Sequence, residues 1–120
     1  MDTRTKILDP AAAAQAAAVA RRAGKTVKLA TGTFDPLLAA HARWLREIAV
    51  SGAVLFVAVR EPARPLLPQA ARAELVAALG MVDYVVPGDA PLEADEVCRE
   101  ESAGQRLAQD FILYVQNRQS

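Results

Sequence analysis

The chain has 120 residues, of which 52% are hydrophobic, and its 14 basic residues balance 14 acidic ones. This length allows one compact domain over residues 1–120, the hydrophobic fraction argues against disorder, and the balanced charge gives no basic surface for nucleic acid. The one cysteine and one histidine exclude an internal disulfide and a metal cluster of several histidines or cysteines. Because the sequence has neither an apolar signal core nor a run near the ~20 residues of a membrane span, we expect a cytoplasmic protein without membrane contact.

The first part of the chain predicts a helix, a strand and a second helix. Asp9 and Pro10 suit the start of the first helix and Gly24 its end, because aspartate caps free N–H groups and glycine adopts the left-handed conformation that ends helices. Residues 26–31 predict a strand. Residues 37–50 predict a helix, since apolar residues recur there three and four apart. This apolar stripe comprises Leu37, His41, Trp44, Leu45 and Ile48.

The second part of the chain predicts two more strands and a helix between them. Residues 53–59 form a continuous apolar run, as expected of a parallel strand that is covered on both faces. The proline-rich residues 60–68 predict a loop, residues 69–79 a helix that ends at Gly80, and residues 82–86 a third strand.

From Pro91 onward the pattern predicts helix, ending in a C-terminal helix over residues 101–119. Alternation of strands and helices indicates an α/β fold, a Rossmann-like three-layer α/β/α sandwich with three parallel strands in the order 3-2-1 and a C-terminal helix. So small a sheet leaves its edges exposed unless terminal helices or a second subunit cover them. We therefore expect a homodimer.

The passage from Lys28 to His41 carries the clearest functional signal. A strand that turns at Gly32 into a helix N-terminus offers free N–H groups and a favourable dipole to an anion. We predict that Gly32 and Thr33 bind a phosphate through their backbone and that His41 stabilises charge there. Plainer roles stay open: a tight turn at Gly32, core packing for Phe34, and, slightly favoured, a helix cap for Asp35.

The same passage resembles the GxFDxLHxGH signature of the cytidylyltransferase-like nucleotidyltransferases. The matching residues are Gly32, Phe34, Asp35, Leu37 and His41. Further along, the chain resembles the RP…R…L…L…VDYVV passage of the ADP-heptose synthase cytidylyltransferase domain, a layout that glycerol-3-phosphate cytidylyltransferases share. The matching positions there are Arg64-Pro65, Arg72, Leu75, Leu79 and residues 82–87. The resemblance covers about residues 5–93.

The resemblance implies an enzyme that transfers CMP or AMP from CTP or ATP, with Mg²⁺, to a phosphorylated sugar or polyol. The nucleotide or a small phosphorylated ligand is the implied partner, and no protein metal site is expected. His41 is then the catalytic residue, and the implied nucleotide-binding residues are Gly32, Thr33, Phe34, Asp35 and Arg64.

The chain departs from the family pattern at four places. Leu38 replaces the first histidine, Ala40 replaces the glycine, the loop before Arg64 is short and lacks the family's lysine, and the predicted helix after Pro91 replaces a serine/threonine-rich motif. Loss of one such donor commonly costs ~10²–10³ in rate. Two alternatives therefore stay open: a non-catalytic relative that binds a nucleotide or another phosphate ligand, and a dimeric interaction module in which Leu38 and Ala40 fill the former pocket.

Overall fold

A computed structural model of the chain describes residues 3–49 and 52–100. After a short 3₁₀ helix, Thr3–Lys6, the helices are α1 (Pro10–Arg22), α2 (Ala39–Ile48) and α3 (Gln69–Ala77). The strands are β1 (Thr26–Gly32), β2 (Ala53–Val59), β3 (Tyr84–Pro87) and β4 (Glu96–Arg99). All four strands are parallel and lie in the order β3-β2-β1-β4.

The α/β class and the first three strands in their order 3-2-1 are confirmed, but the sheet has four strands rather than three. The helix predicted from Pro91 is wrong for residues 91–99, because β4 lies there, paired with β1. The reason is tertiary: Asp95 donates its N–H to the Val27 carbonyl at 2.8 Å and accepts the Val27 N–H at 2.8 Å. These contacts with β1 override the local helix preference of an acidic, alanine-containing segment. The helix predicted over 101–119 lies outside the described residues.

The alanine-rich helix α1 covers one face of the sheet. Ala13 and Ala17 are buried against the side chains of β1 and β2, and the link between β3 and β4 packs on the same face through Leu92. Asp9 caps α1 by accepting the Ala12 N–H at 2.7 Å, as its position in the sequence predicts. The small side chains bring the helix backbone close to the sheet, which explains why so much of the apolar composition is alanine.

Helices α2 and α3 cover the opposite face. Leu45 and Ile48 of α2 and Val76 of α3 are buried in a second cluster with Val57 of β2. Because β2 has its side chains covered on both faces, it is the continuous apolar run that the sequence shows. The result is three layers, α/β/α, among the described residues.

One sheet edge is covered from within the chain. Ile7 forms a parallel bridge with Val85, and the Leu8 N–H donates to the Val85 carbonyl at 2.8 Å. The amino-terminal segment therefore covers the β3 edge, so this edge does not need a partner subunit to cover it. The homodimer stays a prediction. No helix among the described residues is long and apolar enough to cross a membrane.

The strand order creates a crevice at the carboxyl end of β1. The chain leaves β1 toward β2 and β3 on one side and returns on the other side to form β4. Ligands of open α/β sheets bind outside the carboxyl ends of the strands, where the order reverses in this way. Residues that follow β1 and β4 are thus brought together at that crevice.

Replacing Ala17 with leucine tests the close packing of α1 on the sheet. Ala17 is 1% exposed, so the larger side chain would force the helix outward, and we expect a loss of about 1–3 kcal/mol in the free energy of unfolding. Urea denaturation followed by circular dichroism measures it. Ala11→Leu is the control, because Ala11 is exposed on the same helix and should change stability by less than about 0.5 kcal/mol. Equal effects of the two changes would contradict this packing.

Candidate functional site

The turn after β1 points two successive backbone N–H groups toward one place. Phe34 has a φ of +47°, in the left-handed region that residues other than glycine rarely adopt. Its ring is fully buried and contacts the imidazole of His41 edge-on, with ring centroids 5.7 Å apart. The buried ring holds the backbone in this conformation, and the N–H groups of Thr33 and Phe34 form an anion-binding concavity.

The imidazole of His41 supplies a third donor, and its tautomer follows from its contacts. The Leu38 N–H donates to Nδ1 at 2.9 Å, so that nitrogen carries no proton and Nε2 carries one. His41 is the third residue of α2, where a side chain that accepts the N-cap N–H stabilises the helix start. Nε2–H consequently points into the crevice. We call the N–H groups of Thr33, Phe34 and His41 Nε2 the anion cradle.

The cradle is filled by the carboxylate of Glu100, the residue that follows β4. Oε2 accepts the Thr33 N–H at 2.6 Å and, at a longer 3.5 Å, the Phe34 N–H. Oε1 lies 2.9 Å from His41 Nε2. One carboxylate therefore uses every donor of the cradle, and its side chain is only 18% exposed.

The ionised form of Glu100 is favoured by these donors. Burial alone raises the pKa of its carboxyl, but the hydrogen bonds from His41 and from the Thr33 backbone outweigh burial and hold the pKa below its ordinary value. The cradle thus stabilises a negative charge at this point of the crevice.

Asp35 has a different role from the one favoured by its sequence position. The N-cap of α2 is Leu38, so the predicted cap by Asp35 is wrong. Its carboxylate instead accepts the N–H groups of Leu66 and Leu67, at 2.6 and 2.9 Å. Asp35 therefore ties the turn after β1 to the proline-rich loop before α3, and both of its oxygens are occupied there.

A buried guanidinium supports the cradle from behind. Arg72 of α3 is 0% exposed. Its Nη1 donates to the carbonyls of Thr33 and Arg60, both at 2.8 Å, its Nε donates to the Leu67 carbonyl at 3.0 Å, and Nη2 pairs with Glu61. Arg72 thus fixes the turn after β1, the end of β2 and the proline-rich loop relative to one another.

A cavity of about 400 Å³ opens above the cradle. Two exposed arginines stand at its rim, Arg60 after β2 and Arg99 at the end of β4, one on each side of β1. The lining residues are Thr31, Gly32, Thr33, His41, Arg60, Glu61, Arg99 and Glu100.

The structure brings together four of the six predicted site residues. Gly32, Thr33 and His41 line the cavity, and Phe34 lies beneath it. Asp35 faces the proline-rich loop, and Arg64 is exposed and lies outside the residues that line this cavity. Arg72 matches the family passage but was not among the six predicted site residues, and Glu100 was not predicted at all.

The sequence contains a signal for the site role of each of these two residues. Arg72 lies four positions before buried Val76, so it occupies the apolar stripe of α3. Glu100 follows a strand at the carboxyl edge of the sheet, and recognising β4 would have indicated it.

Leu38 and Ala40 do not fill the pocket. The Leu38 side chain is 54% exposed, and neither residue belongs to the cavity lining. Leu38 contributes its backbone N–H to His41 but offers no side-chain donor. The cradle beside His41 is occupied by Glu100 and not by either of these two side chains.

The arrangement is suited to holding an anion rather than to moving a proton. His41 Nδ1 is engaged by the helix backbone, so the imidazole cannot pass a proton from one nitrogen to the other. Its Nε2–H and the two backbone donors are fixed and aimed at one point. Fixed donors of this kind stabilise charge that develops on a bound phosphate.

A protein-held metal ion does not fit this site. Among residues 3–49 and 52–100, no group of three or more His, Cys, Asp or Glu side chains could hold a metal ion. The two carboxylates at the cavity are already paired, Glu61 with Arg72 and Glu100 with His41. Mg²⁺ commonly binds through one or two carboxylates together with substrate phosphates, so we assign no step to a metal ion held by these residues.

Comparison with known proteins identifies the family of the chain. The profile of the family described as cytidylyltransferase-like matches residues 29–116. The chain belongs to this family. The match contains the turn after β1, the helix with His41, the buried Arg72 and β4 with Glu100, and it confirms the resemblance seen in the sequence.

Several bacterial proteins described as "Bifunctional protein HldE" are relatives. The one from Photobacterium profundum is 43% identical over 82 residues, which cover 61% of this chain and 17% of that protein. The one from Syntrophotalea carbinolica is 35% identical over 94 residues, 69% of this chain and 19% of that protein. The one from Cronobacter sakazakii is 36% identical over 120 residues, 92% of this chain and 23% of that protein. The chain spans about a fifth of the length of these curated relatives.

Replacing Arg72 tests its support of the cradle. Arg72→Met removes the partner of three carbonyl groups, and we expect a loss of about 3 kcal/mol or more in the free energy of unfolding, because each unpaired buried acceptor costs about 1–3 kcal/mol. Chemical denaturation measures the loss. Arg64→Met is the matched control, since Arg64 is exposed and should change stability by about 0.5 kcal/mol or less. Indistinguishable stabilities of the two variants would refute the supporting role.

The depressed pKa of Glu100 predicts a pH dependence with a definite sign. The carboxylate stabilises the fold fully above its unfolded-state pKa, near 4.5, and this contribution is lost as the pH falls through the lower folded-state pKa. We expect wild type to exceed Glu100→Gln in stability at pH 6–7 and the difference to shrink below about pH 4.5. Denaturation of both proteins from pH 7 to pH 3 measures it. A difference that stays constant or grows toward acid would contradict the assigned contacts.

Proposed function

We propose that the domain binds a nucleoside triphosphate at the anion cradle and transfers its nucleotidyl group, CMP or AMP, to a phosphorylated sugar or polyol. The observation that carries the proposal is the convergence of the Thr33 N–H, the Phe34 N–H and His41 Nε2–H on one anionic group. A nucleotide phosphate presents the same negative oxygens to these donors as the Glu100 carboxylate does.

In this proposal the described residues act by position and charge. His41 Nε2–H and the Thr33 N–H donate to oxygens of the phosphate under attack, where negative charge builds up as pyrophosphate leaves. Arg60 and Arg99 stand on either side of β1 and attract the remaining phosphates. Mg²⁺ would accompany the triphosphate through the phosphate oxygens themselves. A cytoplasmic location, the choice between CTP and ATP, and the acceptor are further parts of the proposal.

A second candidate function is nucleotide or phosphate binding without transfer. Two observations favour it: Leu38 offers no donor where the family has its first histidine, and Glu100 occupies the cradle. One missing donor of this type costs ~10²–10³ in rate, so binding could persist after transfer is lost.

Calorimetric titration with CTP and ATP, with and without Mg²⁺, tests the binding step. We expect one of the two nucleotides to bind to wild type and its affinity to fall about tenfold or more in His41→Ala, because a hydrogen bond to a charged group contributes about 1.5–3 kcal/mol. Arg43→Ala is the control, since Arg43 is exposed on the same helix and should bind as wild type does.

A pyrophosphate-release assay with phosphorylated sugars and polyols separates the two candidates. Release that needs both the acceptor and His41 supports transfer. Binding without release in any combination leaves the second candidate standing. A wild-type protein that binds neither nucleotide would refute both.

A further inference from the structure

We propose that Glu100 is an internal competitor for the phosphate ligand, so that its carboxylate closes the cradle until a polyphosphate displaces it. This inference rests on the proposed function, because the displacing ligand is the phosphate chain that we place in the same cradle. It goes beyond that function by assigning to Glu100 an autoinhibitory contact, which a ligand must be strong enough to displace.

The donors of the cradle cannot serve two anions at once. The Thr33 N–H and His41 Nε2–H each have a single hydrogen, and Glu100 accepts both, at 2.6 and 2.9 Å. The other imidazole nitrogen is engaged by the Leu38 N–H and has no hydrogen to donate. A phosphate that takes these hydrogen bonds must therefore remove the carboxylate of Glu100.

The packing at Gly32 also prevents Glu100 and a phosphate from occupying the cradle at the same time. A Cβ atom built on Gly32 would lie 2.6 Å from the Cβ of Glu100, closer than real Cβ contacts. The Glu100 side chain thus lies directly against the backbone that a nucleotide phosphate would approach. Glycine at position 32 leaves just enough room for Glu100, and a bound phosphate would need that room.

The covalent link of Glu100 to the end of β4 lets its carboxylate compete effectively with weak ligands for the cradle. Glu100 follows Arg99, the last residue of β4, so its carboxylate is held beside the cradle. A group on a short tether has an effective concentration on the order of millimolar or above. The apparent affinity of a ligand falls by the fraction of protein whose site is open.

Charge decides which ligands can overcome this competition. A carboxylate carries one negative charge, whereas a polyphosphate carries several that Arg60 and Arg99 at the rim of the cavity can attract together. A small carboxylate replaces Glu100 with an equivalent group and gains little. A di- or triphosphate gains contacts that Glu100 cannot make, so it can open the cradle at concentrations at which a small carboxylate leaves Glu100 in place.

Titration with inorganic pyrophosphate tests the competition directly. We expect Glu100→Ala and Glu100→Gln to bind pyrophosphate about tenfold or more tightly than wild type, because the first opens the cradle and the second removes the charge that competes for it. Glu74→Ala is the control for net charge, since it removes one exposed carboxylate on α3 and should bind as wild type does. Acetate should bind wild type far more weakly than pyrophosphate and should gain affinity by a similar factor in Glu100→Ala, because both ligands need the donors that Glu100 releases.

His41 provides an independent reporter because it is the only histidine of the chain. Its imidazole ¹⁵N and ¹³C NMR signals are therefore assigned without ambiguity. We expect Glu100→Ala to shift the Nε2 signal in the absence of ligand, and pyrophosphate to shift it in wild type as Glu100 leaves. The Nδ1 signal should keep the position of an unprotonated nitrogen in both proteins, since its bond from Leu38 is unchanged.

The outcomes separate this inference from the proposed function. Equal pyrophosphate affinity in wild type and both Glu100 variants overturns the competition while leaving a nucleotide site possible. Absence of binding in all of them overturns the competition and the proposed site together. Tighter binding in the variants, without release of pyrophosphate from CTP or ATP, supports the competition and refutes the transfer reaction.

Discussion

The buried guanidinium of Arg72 is the interaction on which the site geometry depends. A cation at 0% exposure is tolerated only when its hydrogen bonds are satisfied. Three of its acceptors are backbone carbonyls, and they belong to the turn after β1, the end of β2 and the proline-rich loop. These segments have no secondary structure in common, so Arg72 supplies the rigidity that a sheet or helix would otherwise give them.

The hydrogen bonds of Arg72 fix the positions of the donors in the cradle. The Thr33 carbonyl accepts from Arg72, while the Thr33 N–H donates to Glu100 in the crevice. Asp35 adds a second tie, because it holds the N–H groups of Leu66 and Leu67. Donors that are fixed before the ligand arrives need no reorganisation when charge develops. The proline-rich loop therefore supports, through its own backbone groups, the turn that carries the anion-binding N–H groups.

The parts of the fold that were predictable have strong periodic patterns, and the rest depends on distant contacts. The apolar run 53–59 and the helix signals around Asp9 predict elements that the structure contains. The four residues of β4 have no such pattern, and they are extended because β1 and Asp95 hold them. Since Glu100 reaches the cradle only through β4, its role could not be predicted while that strand was missed.

The site residues also fall into those that a local pattern predicts and those that depend on distant contacts. His41 was predictable because motif position and helix periodicity both indicate it. The partner of Asp35 lies 31 residues away, and no local pattern relates a carboxylate to the N–H groups of a distant loop. Periodicity on a helix does not tell whether an arginine is buried or solvated, and Arg72 is buried because three chain segments pack around it.

The close approach of Gly32 to Glu100 has a consequence for how this branch of the family can diversify. With the backbone of one residue against the side chain of the other, a side chain at position 32 and a carboxylate at position 100 exclude each other. Loss of the acid alone would not free the glycine, because the Cβ atom of any residue other than glycine at position 100 would still meet a Cβ atom at position 32. A lineage that keeps the acid keeps the glycine for packing alone, even after any ligand has been abandoned.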